Sequence, residues 1–231
     1  QRCKLKEEIV SSEQVYVKNL QFVVDAFLKP CRSLAATGSK KVTMQDVDLI
    51  FCNMETLLEL HINLLKELEE RLQDWPIMDL GDIVLRAAPY YSVYLDYVNN
   101  YLVACKHIQA LATKSKEFQN ILSDAAQKSE EKRDLSSFLI MPVQRLPRYQ
   151  LLLQNLLRET PETPEAAAER TALVQSLSVM KEVVDELEAK NKDEENRQKV
   201  EAIQAKFVGS MDQPLVDGHR RWVMESSIMK I

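Results

Sequence analysis

Apolar residues recur at steps of three and four along most of the chain, which is the spacing of helices that bury one face. The first such segment predicts a helix over Cys3 to Leu34, with Pro30 near its end. A second helix is predicted over Met44 to Trp75, with Thr43 as its candidate N-cap. Further helices are predicted over Asp79–Ala87, Pro89–Ala110 and Ser115–Lys128.

The apolar segment LSSFLIMPVQRLPRYQLLLQNLL has the length of a helix but contains two prolines. Pro142 and Pro147 bracket Gln144 and Arg145. A proline in a helix interior removes a hydrogen bond and crowds the preceding turn, at a cost of about 3 kcal/mol. A plain core helix gains nothing from two such residues. We therefore predict a bent helix, over about 132–159, that turns a polar edge toward a partner.

The last third of the chain predicts one long helix and then a change of structure. The helix is predicted over Pro164 to Val208, and Glu188 to Lys199 within it is almost entirely polar. This polar stretch favours a solvated helix face. After Gly209, turn residues and the segment Arg221 to Ile231 predict a β-strand. The whole pattern predicts an all-α bundle of about six main helices with a C-terminal strand fragment.

The composition excludes several classes of function. The 231 residues carry a formal net charge of -5, with both signs mixed along the helices, which argues against nucleic-acid binding. No apolar run reaches the ~18 residues that a membrane span needs. The cysteines are widely spaced, which indicates reduced thiols rather than a disulfide or zinc site. They are Cys3, Cys31, Cys52 and Cys105.

No residues with a catalytic or metal-binding spacing can be found in the sequence. His61, His107 and His219 lie far apart and form no metal-ligand motif. The four glycines do not form a phosphate-binding loop, and no nucleophile motif is present. Accordingly, we predict no covalent chemistry, no metal and no bound nucleotide. Any reaction that the chain accelerates would be accelerated by binding.

One charged residue lies unusually close to the apolar face of the first helix. At 100° per residue, Glu13 lies ~60° from the centre of the apolar stripe, between the directions of Leu20 and Val24. An isolated buried charge would be too costly in free energy. Glu13 is therefore a rim residue paired with Lys18 or Arg32, or a residue held for a partner.

Three segments resemble, in order, the three signatures of the Dbl-homology (DH) domain, the exchange module for Rho-family GTPases. The first signature is matched by Ser12, Glu13, Tyr16, Val17 and Leu20. The second is matched by Ile50 to Leu68, including Phe51, Asn53 and His61. The third is the segment with the two prolines. The tail PLVDGHRRWVMESSIMKI resembles the linker and first strand of the pleckstrin-homology (PH) domain that usually follows.

The resemblance implies an elongated DH domain over 1–208 and a linker with the start of a PH domain over 209–231. It implies a guanine-nucleotide exchange factor for Rac, Cdc42 or Rho that binds both switch regions and stabilises the nucleotide-free state. The nucleotide and Mg²⁺ would belong to the GTPase, so no cofactor is expected. A cytoplasmic protein is implied, recruited to the membrane periphery or cytoskeleton only indirectly, through the PH portion or the lipidated GTPase.

The same resemblance assigns site residues. Glu13 would contact switch I, and its replacement by alanine would lower exchange strongly while leaving the fold nearly intact. Val143 would sense differences between GTPases. The residues assigned to switch II are Met141, Gln144, Arg145, Glu188 and Asn191.

Two of these positions depart from the family pattern. Met141 stands where the family usually has lysine, and Glu188 stands where it usually has asparagine. Both changes predict weaker or redistributed contacts with the GTPase. The alternatives are a binding module with the DH fold that docks a partner without releasing nucleotide, and a purely structural helical bundle.

Overall fold

The computed structural model describes residues 1–39, 41–73, 79–206, 215 and 221–223. Their regular structure is helical, and none of these residues lies in a strand, which confirms the all-α prediction. The helices are α1 Arg2–Val23, α2 Lys29–Ala36, α3 Met44–Phe51, α4 Met54–Leu72, α5 Gly81–Ala87, α6 Val93–Lys114, α7 Lys116–Lys128, α8 Leu135–Glu159 and α9 Ala167–Gln204.

The chain divides into two compact units, Gln1–Val184 and Asp185–Ile231. In the second unit, the backbone N–H of Trp222 donates to the side chain of Asn196 at 2.5 Å. Most of the predicted strand over 221–231 lies outside the described residues, and 221–223 are not in a strand. The predicted boundary between 208 and 209 also lies outside the described residues.

The first predicted helix forms, but it contains a wider turn. A π-helical turn, Val24–Leu28, joins α1 to α2, and Pro30 lies in the first turn of α2. Proline has no N–H to donate to the carbonyl four residues earlier, that of Ala26, and its ring crowds that carbonyl. A π-turn gives this carbonyl more room. The chain therefore remains helical from Arg2 to Ala36.

The second predicted helix is divided into α3 and α4. Its start is confirmed: Thr43 and Asp46 form a capping box, in which the Thr43 hydroxyl accepts from the Asp46 N–H at 3.2 Å. The division occurs at Cys52, whose φ of 49° is incompatible with a continuing right-handed helix. The neighbouring Asn53 donates to the carbonyl of Val93 at 2.8 Å, which ties the break to α6.

Helix α1 packs against α4 and α8 in the core of the first unit. Ser12 contacts Arg145, and further along α1 the ring of Phe22 lies 5.2 Å from that of Phe138. Position along α1 therefore increases as position along α8 decreases, and the two helices run antiparallel. Their neighbouring edges form a continuous strip on which residues from both helices lie side by side.

Helix α8 continues through both prolines to Glu159. Asp134 caps its start by accepting from the N–H of Ser137 at 2.8 Å. In the turn before Pro142, the hydroxyl of Tyr97 donates to the carbonyl of Leu139 at 2.9 Å. A side-chain donor from α6 thus joins this turn, where the proline weakens the helical ladder.

The start of α5 is held by a buried carboxylate from α9. Glu169, 3% exposed, accepts from the backbone N–H groups of Leu80 at 3.1 Å and Gly81 at 2.8 Å. These are donors that the helix itself cannot satisfy. A Cβ on residue 81 would lie 2.9 Å from the backbone oxygen of Glu169, so only glycine fits this approach.

We expect Gly81→Ala to lower the unfolding free energy by about 1–3 kcal/mol, because the added methyl overpacks a contact with backbone. Chemical denaturation measures this change. Gly38→Asn provides the comparison, since Gly38 has a φ of +76° with open space around it and asparagine tolerates that conformation. A Gly81→Ala protein as stable as the wild type would contradict the close approach of α5 and α9.

Candidate functional site

The three motif segments meet in one buried ionic cluster. Glu13 of α1, His61 of α4 and Arg145 of α8 are 0%, 2% and 4% exposed. One carboxylate oxygen of Glu13 is hydrogen-bonded to Nδ1 of His61, and the other accepts from a terminal nitrogen of Arg145. We call these residues the Glu13–His61–Arg145 cluster. Each comes from a different signature segment of the sequence.

Aromatic rings enclose the Glu13–His61–Arg145 cluster. The guanidinium carbon of Arg145 lies 4.8 Å from the ring centroid of Tyr16 and 4.9 Å from that of Tyr149. The hydroxyl of Tyr94 lies 2.6 Å from Nε2 of His61 and 3.1 Å from the hydroxyl of Tyr16. The cation thus contacts two ring faces, and the histidine has partners on both nitrogens.

The charges of the cluster stabilise each other in the interior. Burial by itself would raise the pKa of Glu13, but its electrostatic interactions and hydrogen bonds with His61 and Arg145 outweigh burial and lower it. Burial by itself would lower the pKa of Arg145, and Glu13 raises it instead. Both groups are therefore charged in the folded protein.

Acid unfolding is expected to report this ion pair. The pKa of Glu13 in the folded protein lies below its ordinary value of 4.5. The stability that it contributes is therefore complete above that value and is lost as the pH falls through the lowered pKa. We expect the difference in unfolding free energy between wild type and Glu13→Gln to shrink below about pH 4.5, since glutamine does not titrate. A difference that is constant with pH would contradict this assignment.

Glu13 and Arg145, which were predicted to contact switch I and switch II, contact each other in the structure. Neither charged group is exposed to a partner. For the same reason we expect Glu13→Ala to destabilise the fold, which differs from the expectation from the sequence. Removing one member of a buried ion pair leaves the other charge buried and unpaired.

The other predicted contact residues are distributed over α8 and α9. Gln144 is exposed, and Met141 and Val143 are half-buried. The backbones of Glu188 and Asn191 belong to α9, and their side chains lie outside the described part of the structure.

Exposed and half-buried residues lie beside the contact between α1 and α8. The hydroxyl of Ser12 accepts from Arg145 at 3.2 Å and marks the edge of α1 that faces α8. Residues three or four positions from Ser12 share that edge. On α8, Met141 and Arg148 lie one turn from Arg145, and Gln144 is the exposed residue directly before it. We call this set of residues the α1–α8 surface, and its members are Glu8, Val15, Met141, Gln144 and Arg148.

Sequence reasoning did not identify Glu8, Val15 or Arg148 as members of a site. Val15 is 59% exposed, an unusual position for an apolar side chain, and Glu8 and Arg148 are also exposed. The available signal was the helical spacing of Glu8 and Val15 around Ser12. That spacing indicates a site only when the direction of α8 is known.

Three further observations bear on possible cofactors and on membranes. The cysteines named above are free thiols. Over the described ranges, no three His, Cys, Asp or Glu side chains are grouped so that they could hold a metal ion. None of the helices in these ranges combines the length and apolar character needed to cross a bilayer.

Comparison with known proteins identifies the family. A model of the RhoGEF domain matches residues 5–188. Rac guanine nucleotide exchange factor JJ of Dictyostelium discoideum is 29% identical over 225 residues, which are 97% of this chain and 18% of that protein. Guanine exchange factor for Rac 30, from the same organism, is 32% identical over 236 residues, covering 99% of this chain and 13% of that protein.

The chain thus spans less than a fifth of the length of these two relatives. A solved structure of autoinhibited Vav1 superimposes with a TM-score of 0.79 at 28% identity, covering 93% of this chain and 38% of that one. Residues 5–188, which the RhoGEF domain model matches, contain all three signature segments and the buried cluster that joins them. The chain belongs to the RhoGEF domain family.

Proposed function

We propose that this domain is a guanine-nucleotide exchange factor for a Rho-family small GTPase, Rac, Cdc42 or Rho. The observation that carries the proposal is the convergence of three signature segments on the Glu13–His61–Arg145 cluster, whose Arg145 also contacts Ser12 at the edge of the α1–α8 surface. The two relatives are named as exchange factors for Rac, which supports this class of partner.

Exchange by binding follows from thermodynamic coupling. A surface that binds the nucleotide-free GTPase more tightly than the nucleotide-bound form must weaken nucleotide binding by the same factor. The domain needs no acid, base or nucleophile for this effect. The nucleotide and Mg²⁺ belong to the GTPase, and the domain needs no cofactor of its own.

The roles of the residues follow from their exposure. On the α1–α8 surface, Glu8 offers the carboxylate for switch I that was expected from Glu13. Glu13 and Arg145 act indirectly, because they fix α1 against α8. Met141 and Gln144 contact switch II, and Val143 influences the choice of GTPase. Glu188 and Asn191 supply further switch II contacts from α9.

The domain organisation and location belong to the same proposal. Residues 1–208 form the exchange domain, and 209–231 form the linker and start of a PH domain. We propose a cytoplasmic protein that reaches the membrane periphery or cytoskeleton through its GTPase or through a PH portion.

Release of fluorescent GDP from Rac, Cdc42 and RhoA tests the proposed function. We expect the domain to accelerate GDP release from at least one of them by about a hundredfold. This factor corresponds to a lowering of the activation free energy by about 2.7 kcal/mol. Ras serves as a control GTPase outside the Rho family. Binding without acceleration would favour the alternative, a docking module. Met141 is the observation that favours this alternative, because a half-buried thioether replaces a cation that could reach acidic groups of the GTPase.

A further inference from the structure

A groove of about 690 Å³ lies between α4 and the segment that leads from α5 into α6. None of the residues that line it belongs to α1 or α8. Its volume is within the range of natural ligand sites, roughly 300–1,000 Å³. Its walls are mainly apolar, formed by Leu60, Leu64, Ile83, Ala87 and Val93.

The two walls of the groove run antiparallel. At one end, Asn53 at the start of α4 donates to the carbonyl of Val93 at 2.8 Å. At the other end, Arg86 of α5 pairs with Glu67 of α4 at 2.6 Å. Of the lining residues, Glu59 and Tyr90 therefore lie toward the end marked by Asn53 and Val93, and we call this end the acidic end.

The charges at the two ends differ. Arg86 pairs with both Glu67 and Asp82, so the carboxylates at its end already have a cation. Within the described ranges, Glu59 is exposed and makes neither an ion pair nor a hydrogen bond. Tyr90 is 61% exposed. A carboxylate without a partner and an exposed aromatic ring that line the same groove suit a cationic side chain, and arginine best, since its planar guanidinium stacks on rings.

The length of the groove indicates the shape of what it binds. Its α4 wall extends from Thr56 to Glu67, which is ~17 Å at about 1.5 Å per residue. This is about three helical turns. A groove of this length between two helical walls is suited to an amphipathic helix whose apolar side chains are spaced three and four residues apart.

We propose that this groove binds an amphipathic helix of a partner protein. The helix places its apolar face against the half-buried Leu60 and Val93, above the buried floor formed by Leu64 and Ala87. It places an arginine at the acidic end, against Glu59 and Tyr90. This interaction is separate from the exchange reaction, because no residue of the α1–α8 surface takes part. It would give the domain a second partner in addition to its GTPase.

Panning a displayed library of helical peptides of about 14 residues against the 231-residue chain tests the proposal. We expect enrichment of peptides with apolar residues three and four positions apart and at least one arginine. Synthetic peptides of the enriched sequences then give dissociation constants by fluorescence anisotropy. Enrichment of acidic peptides, or no enrichment, would overturn the proposal.

Two variants test whether the peptides bind in the groove. Ala87→Trp fills it and is expected to abolish binding, and thermal unfolding shows whether this variant is folded. Glu59→Lys reverses an exposed charge without a partner and is expected to weaken binding about tenfold or more. Glu182→Lys is the matched control, because Glu182 is an exposed carboxylate on α9 that does not line the groove.

If Glu59→Lys and Glu182→Lys weaken peptide binding equally, the effect comes from the net charge of the protein. This result would overturn the assignment of the site to the groove. Sedimentation of the free chain supplies the other check. If the chain forms dimers that Ala87→Trp abolishes, the occupant is a second copy and not a partner helix. Nucleotide release by Glu59→Lys is expected to match the wild type, so the groove and the exchange surface can fail independently.

Discussion

Glu13→Ala is expected to lower the unfolding free energy by about 3–5 kcal/mol, because it leaves Arg145 buried without its carboxylate. The guanidinium lies between Tyr16 and Tyr149, where water cannot replace the lost partner. His61 loses its Nδ1 partner in the same variant. Denaturation in urea, monitored by far-UV circular dichroism, measures the change.

Two further variants separate the ion pair from a general effect of mutation. Glu7→Ala changes an exposed carboxylate on the same helix and is expected to shift the unfolding free energy by less than about 0.5 kcal/mol. The double variant Glu13→Leu with Arg145→Met removes both charges and is expected to recover most of the loss. A Glu13→Ala protein within about 1 kcal/mol of the wild type would show that the buried pair is not required.

In contrast to Glu13→Ala, Glu8→Ala is expected to slow nucleotide exchange while leaving the unfolding free energy unchanged. Glu8 is exposed on the α1–α8 surface and forms no ion pair among the described residues. If its carboxylate contacts the GTPase, its removal costs about 2 kcal/mol of binding to the nucleotide-free form. We therefore expect GDP release to slow about thirtyfold relative to the wild-type domain.

Glu7→Ala again serves as the control, since the neighbouring carboxylate points about 100° away around the helix. Exchange by Glu7→Ala is expected to remain within about twofold of the wild type. A Glu8→Ala domain that releases GDP at the wild-type rate, with Glu13→Gln inactive yet folded, would return the switch I contact to Glu13.

Much of the fold can be predicted from the helical spacing of apolar residues. The segments around Leu20, Leu64 and Leu153 each form the predicted helix, because one apolar stripe must be buried in each. The N-cap at Thr43 was also predictable, because its side chain competes locally for a backbone donor. The break at Cys52 was not, since neither glycine nor proline marks it. It depends on a hydrogen bond from Asn53 to α6, which lies 40 residues further along the chain.

In the site, the apolar pattern of one helix does not determine whether Glu13 is buried. Periodicity places Glu13 near the edge of the apolar face, and either a rim or a buried position satisfies that angle. The choice is made by α8, which brings Arg145 from 132 positions away. The same packing places the edge of α1 that carries Glu8 and Val15 against α8. The family motifs identified the correct segments, but exposure decides which of their residues can meet a partner.

The affinity of the domain for one GTPase in two states tests the central claim most directly. Titration calorimetry of the GTPase that responds in the release assay, with and without bound GDP and Mg²⁺, gives both dissociation constants. We predict binding to the nucleotide-free form that is tighter by at least about a hundredfold, and dissociation of that complex by added GDP. Equal affinity for the two forms would contradict exchange by this domain, since a ligand that binds both states equally cannot shift the equilibrium between them.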